Sequence, residues 1–365
     1  MSTILRDVPA MFDGCDRVVS FPEGTKTIRL LQLTDMQFID AAQRRTPDRL
    51  RIDEIRAWDP ANFDQQCGNH IRGLINQTKP DLIFITGDIV YGSFDDAGST
   101  LEWLIAFMDS FGIPWAPVFG NHDNESRKGV AWQCDQLENS AYCLFKRGNV
   151  SGNGNYSVGI AVGDTLVRVL YMIDSNGCQS EDPDVISNRG IYPDQQALFE
   201  AQAAQITQSQ GRPIPAFAAF HIPTREFIDA ENSKNYRTED KEFYTIGVDV
   251  PAKDADFGCK YEHYSDRSVL PGTYLDFFKS CHVDGVFVGH HHSVNTCISY
   301  EGIRWIFGLK TGQYDYHLPY LLGGTLVTLD GADFSVIHTP SLVYCTNFAR
   351  DARVFTGFFV DNTPV

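Results

Sequence analysis

Five short polar motifs follow apolar segments of the chain, and each contains side chains of the kinds that bind metal ions. They supply Asp35, Asp88, Asn121 with His122, His221, and His290 with His292. In open α/β sheets, ligands gather beyond the carboxyl ends of the strands. Because all five motifs occupy positions of that kind, we expect their side chains to meet at a single site.

The donor atoms of these motifs are carboxylate oxygens, an amide oxygen and imidazole nitrogens, which suit hard or borderline divalent and trivalent cations. The set is larger than one tetrahedral ion needs, and it fits two ions that share a bridging carboxylate. Two such ions would convert a shared water into hydroxide, the nucleophile that we expect to attack phosphorus. His122 stands beside the amide ligand, where it could protonate the leaving oxygen.

Each motif also has an ordinary structural explanation when it is taken alone. An aspartate after a strand is commonly a turn residue or a helix cap, and an isolated His221 would be a buried core histidine. The five motifs in series favour the metal site over these explanations. His291 is expected to be the non-ligand of its motif, because successive residues of an extended chain face opposite ways.

The segments before the motifs predict the strands that position them. Continuous apolar runs predict core strands at residues 28–34, 82–86 and 115–119, and further strands at 165–174 and 214–221. Helical spacing of apolar residues predicts helices at 66–78, from Ser99 or Thr100 to Gly112, and at 193–208 with an aspartate N-cap. A short helix is also expected after Pro47.

The remaining segments indicate how the chain is organised. Short strands follow one another from residue 283, and residues 224–270 are predicted to form an irregular, long active-site loop. Alternating strands and helices with a strand-rich end predict two packed sheets flanked by helices. No linker divides the chain, so we expect one catalytic domain over residues 1–365, with its core at 26–345.

Composition excludes several classes of protein. The chain has 365 residues and 43% hydrophobic content, which is ample for a packed core. Its formal net charge of −17 argues against binding nucleic acid as a scaffold. The nine cysteines include no Cys-x-x-Cys pair, which makes a thiolate zinc site or a thioredoxin-type motif unexpected.

No apolar segment is long enough for a membrane span. Since no signal peptide is visible, a cytoplasmic location is favoured over secretion after removal of a leader.

The ordered motifs resemble the calcineurin-like metallophosphoesterase superfamily over residues 35–292. The surrounding segments GNHDNESRKGV, GNYSV, MIDSNG, IYPDQQALFE and FHIP resemble its purple-acid-phosphatase-like branch. This resemblance implies a metallophosphatase-like fold, a four-layer α/β/β/α sandwich of two mixed sheets. It also implies two metal ions, iron with zinc, manganese or a second iron, and a small phosphorylated substrate or a phosphoprotein.

The resemblance assigns a role to each matching position. Asp88 corresponds to the bridging carboxylate, and His122 to the histidine that faces the substrate. The first metal would be held by Asp35 and His292, and the second by Asn121, His221 and His290. Asn121 and His122 would contact the substrate. Apart from the resemblance, Tyr314 in the segment GQYDYH is predicted to line the pocket and to contact the substrate.

One position departs from the family pattern. Most members have histidine two residues after the first aspartate, whereas this chain has Gln37, a poor ligand for transition metals. Tyr91 matches the Gly-Asp-x-x-Tyr of purple acid phosphatases, whose tyrosinate binds ferric iron, and it could replace the missing imidazole.

From the motif series as a whole, we expect a phosphomonoesterase. The alternatives are a phosphodiesterase or pyrophosphatase that acts on nucleotides or lipids, and a non-catalytic scaffold with a weakened first metal site.

Overall fold

The computed structural model describes residues 2–48, 50, 54–55, 58, 67–179, 186–236, 243–247, 255–264 and 268–340. Its strands are, in chain order, β1 (Thr3–Leu5), β2 (Arg17–Phe21), β3 (Thr27–Leu33), β4 (Leu82–Thr86), β5 (Trp115–Val118), β6 (Tyr156–Val162), β7 (Thr165–Met172), β8 (Asn176–Gln179), β9 (Ile186–Arg189), β10 (Ala216–Ala219), β11 (Tyr244–Gly247), β12 (Gly258–Lys260), β13 (Val283–Val288), β14 (Cys297–Tyr300), β15 (Ile303–Phe307), β16 (Gly323–Asp330) and β17 (Asp333–Pro340). Its α-helices are α1 (Asn69–Thr78), α2 (Ser99–Asp109), α3 (Val130–Glu138), α4 (Pro193–Gln210), α5 (Arg225–Ser233) and α6 (Leu275–Ser280).

Two mixed sheets dominate the fold. The larger sheet has the strand order β1-β2-β6-β7-β10-β13-β15-β14, and the smaller has the order β17-β16-β3-β4-β5. Strands β3, β4 and β5 are parallel to one another, and so are β7, β10 and β13. The strands that precede the polar motifs therefore end at one edge of each sheet.

The two sheets pack face to face through aromatic side chains. The ring of Phe84 on β4 lies 5.2 Å from that of Phe287 on β13, and the ring of Phe217 on β10 lies 4.8 Å from that of Phe334 on β17, centroid to centroid. Helix α1 packs on β3 and β16, whereas α4 packs on β7 and α6 on β13. The layer order is α/β/β/α, which confirms the predicted four-layer sandwich of two mixed sheets.

The apolar runs located the central strands well. Strand β4 coincides with the predicted segment 82–86, and all five of its residues are buried. Such a strand is covered on both faces, so its sequence is continuously apolar rather than alternating. Strands β3 and β5 end one residue before the predicted ends, which leaves their polar motifs in the loops that follow.

Two expectations about local structure were wrong. The N-cap of α4 is Tyr192 rather than an aspartate, because Pro193 takes the first helical position, for which its fixed φ is suited. Asp194 lies in the first turn, and its carboxylate accepts hydrogen bonds from the backbone N and Oγ of Ser151 at 2.7 and 2.8 Å.

Segment 224–270 was also expected to be irregular. The structure has helix α5 there, and β11 pairs with β12 in an antiparallel ladder. Helix α5 forms because Phe227, Ile228 and Ala230 bury an apolar face. Residues 237–242, 248–254 and 265–267, like most of the expected helix after Pro47, lie outside the described residues.

None of the helices in the described part of the chain combines the length and the apolar character that crossing a membrane requires.

Candidate metal centre

The loops after five strands, drawn from both sheets, carry the predicted metal ligands. Asp35, Asp88 and Asn121 follow the parallel strands β3, β4 and β5 of the smaller sheet. His221 follows β10 of the larger sheet, and the histidine motif that begins at His290 follows β13. Because the sheets pack face to face, the ends of these strands lie together.

Three of these residues form a compact buried cluster. One carboxylate oxygen of Asp35, one of Asp88 and one ring nitrogen of His221 all lie within 4.8 Å of one another. His221 Nε2 is 3.2 Å from Asp88 Oδ2, and His292 Nε2 is 3.4 Å from Asp35 Oδ1. These distances match donor atoms arranged around a common point more closely than they match strong ion pairs.

In His221 and His292, the second ring nitrogen is held by a backbone carbonyl. His221 Nδ1 donates to the carbonyl oxygen of Thr86 at 2.8 Å, and His292 Nδ1 donates to that of Tyr316 at 2.8 Å. Such bonds select the tautomer in which Nε2 carries the lone pair. His221 Nε2 is buried, and its 3.2 Å contact with Asp88 Oδ2 does not have the geometry of a hydrogen bond. This donor set therefore fits a cation.

Asn121 and His290 extend the cluster on one side. His290 Nδ1 lies 3.1 Å from Asn121 Oδ1, and the His290 ring lies 5.2 Å from the ring of His221, centroid to centroid. The backbone N of His290 donates to both oxygens of Asp35 at 3.1 Å. The backbone of one loop thus orients the carboxylate of another.

The charges of the cluster indicate a place for positive charge. Burial opposes ionisation of Asp88, yet the charges of His221 and His122 hold the pKa of this carboxyl well below its usual range. The pKa of Asp35 is also lowered against burial, by the neighbouring His292 and by His221. Burial disfavours a charged His221, but the charge of Asp88 raises its pKa to about 9. A bound cation would displace that proton and take over its role.

His122 is held from two directions. Its backbone N donates to Asp88 Oδ1 at 2.9 Å, and its Nδ1 lies 2.9 Å from Glu125 Oε2. Burial acts against the charged ring, but Asp88 and Glu125 together raise the pKa of His122. With Nδ1 engaged by Glu125, Nε2 is the atom that can give a proton to another molecule.

Asp123, the last residue of the Gly-Asn-His-Asp motif, fastens two of these loops together. Its buried carboxylate accepts hydrogen bonds from the backbone N of Gly120 at 2.7 Å, of Val90 at 2.9 Å and of Ile89 at 3.3 Å. Burial, with the charge of Asp88, raises its pKa to about 7. The segment GNHDNESRKGV contains Asp123, but no pattern in that segment predicted this positioning role.

One further residue of the site, Lys310, had no signal in the sequence, and it contacts Gln37, the position that departs from the family pattern. Lys310 is buried, and its Nζ donates to the backbone carbonyl of Asp35 at 2.8 Å and to Gln37 Oε1 at 2.5 Å. Gln37 Nε2 in turn lies 3.4 Å from Asp88 Oδ2. Burial lowers the pKa of Lys310. Lys310 is 273 residues away from Gln37 in the chain, so no local pattern could connect them.

The tyrosines proposed from the sequence lie in an aromatic cluster beside the ligands. The Tyr91 ring is 4.3 Å from that of His122 and 5.8 Å from that of Trp58, centroid to centroid. Tyr314 is wholly buried, and its ring meets Trp58 edge-on at 5.8 Å. The ligand role of Tyr91 and the substrate contact of Tyr314 remain predictions.

Glu262 and Asp174 position the segments around the candidate ligands. His291 Nδ1 lies 2.9 Å from Glu262 Oε1, which also accepts a hydrogen bond from the Tyr316 hydroxyl at 2.6 Å. The ring of Tyr316 stacks on His292 at 4.1 Å. Asp174, whose pKa burial raises to about 6, accepts bonds from the backbone N of Asn153 and Asn176 and so shapes its own loop.

Comparison with known proteins places the chain among phosphoesterases. A family model described as calcineurin-like phosphoesterase matches residues 28–294. The protein named probable inactive purple acid phosphatase 29, from Arabidopsis thaliana, is 26% identical over 310 residues, covering 79% of this chain and 72% of that protein. Phosphatase DCR2 from Saccharomyces cerevisiae is 28% identical over 305 residues, covering 78% of this chain and 47% of that protein.

A solved structure shares the fold. Purple acid phosphatase PPD1 from yellow lupin (Lupinus luteus) seeds matches with a TM-score of 0.50 and 12% identity, covering 89% of this chain and 54% of that chain. The chain thus spans about half the length of the lupin and yeast proteins. It spans 72% of the length of the Arabidopsis protein.

Proposed function

Because the chain belongs to the calcineurin-like phosphoesterase family, we propose that it is a metal-dependent hydrolase of phosphoric monoesters. The observation that carries this proposal is the buried cluster of Asp35, Asp88 and His221, whose donor atoms converge within 4.8 Å. A buried imidazole nitrogen whose contact with a carboxylate lacks hydrogen-bond geometry supports a cation there, because an unsatisfied buried polar group costs about 1–3 kcal/mol.

We assign the ligands to two cations. Asp88 would contact both, Asp35 and His292 would hold the first, and the second would lie against Asn121, His221 and His290. When bound, the cations would polarise the phosphoryl group and lower the pKa of a water molecule. Iron, zinc and manganese are the candidates, since imidazole, carboxylate and amide ligands together suit these metals.

The remaining residues would act on the substrate through protons and positioning. A protonated His122 holds a proton at Nε2 that can pass to the leaving oxygen, and Glu125 keeps the ring oriented while it does so. Asp123 keeps the loop of His122 in register with the loop of Asp88. A small phosphorylated molecule and a phosphoprotein are both compatible with this chemistry.

The test is hydrolysis of p-nitrophenyl phosphate compared with bis(p-nitrophenyl) phosphate, by protein reconstituted with manganese, zinc or iron. We expect faster turnover of the monoester, and loss of turnover in His221→Asn. His338→Asn is the matched control, since His338 is also a buried histidine but bonds Thr325 and the carbonyl of Asn295. Turnover of the diester alone would replace this proposal with a phosphodiesterase.

A second candidate is a scaffold that binds phosphate without hydrolysing it. Gln37, at a position where the family pattern has a histidine, favours it, and so does the word inactive in the name of the Arabidopsis relative. Such a protein would bind a cation and still fail to turn over either ester in every metal tried. That result would exclude the enzyme and support the scaffold.

A further inference from the structure

One half of the centre contains two side chains that do not fit a metal-binding role. Gln37 and Lys310 are both buried beside Asp35 and Asp88. They belong to the half that Asp35 and His292 would form. The inference below rests on the proposed metal centre, and it concerns how strongly each half holds its cation.

Lys310 determines which way the Gln37 amide faces. An ammonium group only donates hydrogen bonds, so the amide atom that faces Lys310 Nζ at 2.5 Å must be the oxygen. The amide nitrogen then faces Asp88 Oδ2 at 3.4 Å. Turning the amide over would set its NH2 group against the donors of Lys310. Gln37 therefore presents N–H groups to the centre, and an N–H group cannot ligate a cation.

The backbone keeps Lys310 in this place. The N of Thr311 donates to the carbonyl of Thr34 at 2.8 Å, and a Cβ built on Gly312 would lie 2.0 Å from the carbonyl oxygen of Met36. The segment of Lys310 is thus pressed against the segment of Asp35 with no space for a side chain between them. The backbone of Lys310 cannot move away to admit a cation without separating these segments.

Lys310 also supplies positive charge where a cation would otherwise supply it. Its Nζ bonds the carbonyl of Asp35, and the Gln37 amide connects it to Asp88. Like charges repel strongly inside a protein, because the effective dielectric there is well below that of water. A cation between Asp35 and His292 would meet this repulsion and would find no imidazole at position 37.

We propose that Gln37 and Lys310 make the two halves of the centre unequal. One cation is held tightly by the half that contains Asn121, His221 and His290, with Asp88. The half that contains Asp35 and His292 takes its cation loosely, and Lys310 substitutes for part of the missing charge.

Manganese binding measures this difference without any activity assay. The metal-free protein is titrated with Mn²⁺ by calorimetry, and the Mn²⁺ retained after gel filtration is counted by mass spectrometry. We expect two unequal steps, the second weaker by about 10- to 100-fold, the range seen when groups around a metal site are altered. One Mn²⁺ per chain should survive gel filtration.

The double variant Gln37→His with Lys310→Met should tighten the second step and retain two ions. Lys279→Met is the control, because it removes one positive charge from an exposed ion pair with Glu301 and should leave both steps unchanged. If the double variant does not fold, the wild-type titration decides by itself. Two equal steps in the wild type would overturn the inference.

Iron provides an independent comparison. If Tyr91 completes the first half instead, iron-loaded protein will retain two ions and show a visible absorption band that Tyr91→Phe abolishes. That outcome would overturn the inference. A protein that retains one Mn²⁺ but hydrolyses no phosphoester would overturn the proposed function and leave the inequality standing.

Discussion

Gly120 lies where the loop of Asn121 passes closest to Asp88, and its replacement by alanine tests the geometry of the centre. A Cβ on Gly120 would lie 2.2 Å from Asp88 Oδ1, 2.5 Å from the backbone N of Asp88 and 2.8 Å from His221 Cδ2. The added methyl group therefore meets both the carboxylate that we propose to be shared and a residue that we propose as a ligand of the tightly held cation.

The distances give the size of the effect. Close carbon–oxygen contacts lie at about 3.3–3.6 Å, so Asp88 Oδ1 or the loop of Gly120 must move by about 1 Å. Metal ligands tolerate displacements of only about 0.2 Å. We therefore expect Gly120→Ala to weaken binding of the first Mn²⁺ by at least about 100-fold, the upper end of what outer groups contribute. Crowding should also lower the free energy of unfolding by about 1–3 kcal/mol.

Gly285→Ala separates the two effects. Gly285 lies within β13, and a Cβ there would be 2.9 Å from the Phe217 ring, among side chains that bind no metal. This variant should lose stability to a similar extent and keep the wild-type affinity for Mn²⁺. Calorimetric titration and urea unfolding of both variants provide the measurements. Wild-type Mn²⁺ affinity in folded Gly120→Ala would refute the reasoning that Asp88 is a ligand held at this spacing.

Three further outcomes are expected. Burial lowers the pKa of His338 from 6.5 to about 4, so the unfolded chain takes up a proton first as the pH falls. Its contribution to stability is full above about pH 6.5 and decreases by about 3 kcal/mol toward pH 4, and urea unfolding of His338→Gln should show a shallower pH dependence. Arg168 is wholly buried and pairs with Asp284, so Arg168→Met should lower the free energy of unfolding by about 3 kcal/mol while Mn²⁺ affinity is unchanged. Chelation should leave a cooperatively folded protein, and Mn²⁺ at about 100 times its Kd should then raise the free energy of unfolding by about 2.7 kcal/mol; an unfolded metal-free chain by circular dichroism would contradict this.

The sequence predicted structure best where the interactions that determine it are local in the chain, or where they recur at equivalent positions such as the ends of parallel strands. Strand β4 is buried on both faces, so its apolar run marked its ends. The polar residue after each such run, such as Asp88, then lay at the edge where strand ends meet. The fold class and the candidate metal cluster follow from this regularity, and the resemblance of the ordered motifs indicated the family.

Contacts between distant segments were out of reach. Lys310 follows a short strand in a segment with no metal-binding pattern, and only the packing of that segment on residues 34–36 brings it to Gln37. Tyr192 caps α4 although an aspartate stands two residues later, because the proline between them fixes the first helical position. In both cases the deciding interaction involved a residue that the local pattern did not single out.

The backbone conformation of the proposed centre explains why we expect glutamine at position 37, in place of the histidine of the family pattern, to affect cation binding. Asp35, Gln37, Asp88 and His290 all have left-handed backbone, with φ between 48° and 74°, a conformation that costs a non-glycine residue about 1–2 kcal/mol. Hydrogen bonds from Asp35 N to the Gly87 carbonyl and from Gln37 N to the Asp88 carbonyl hold these turns, at 3.1 and 2.8 Å. The ligands are therefore set by the fold before a cation arrives. Because a backbone held in this way resists movement, we expect the absence of an imidazole at position 37 to weaken its own half of the proposed centre and to leave the other half intact.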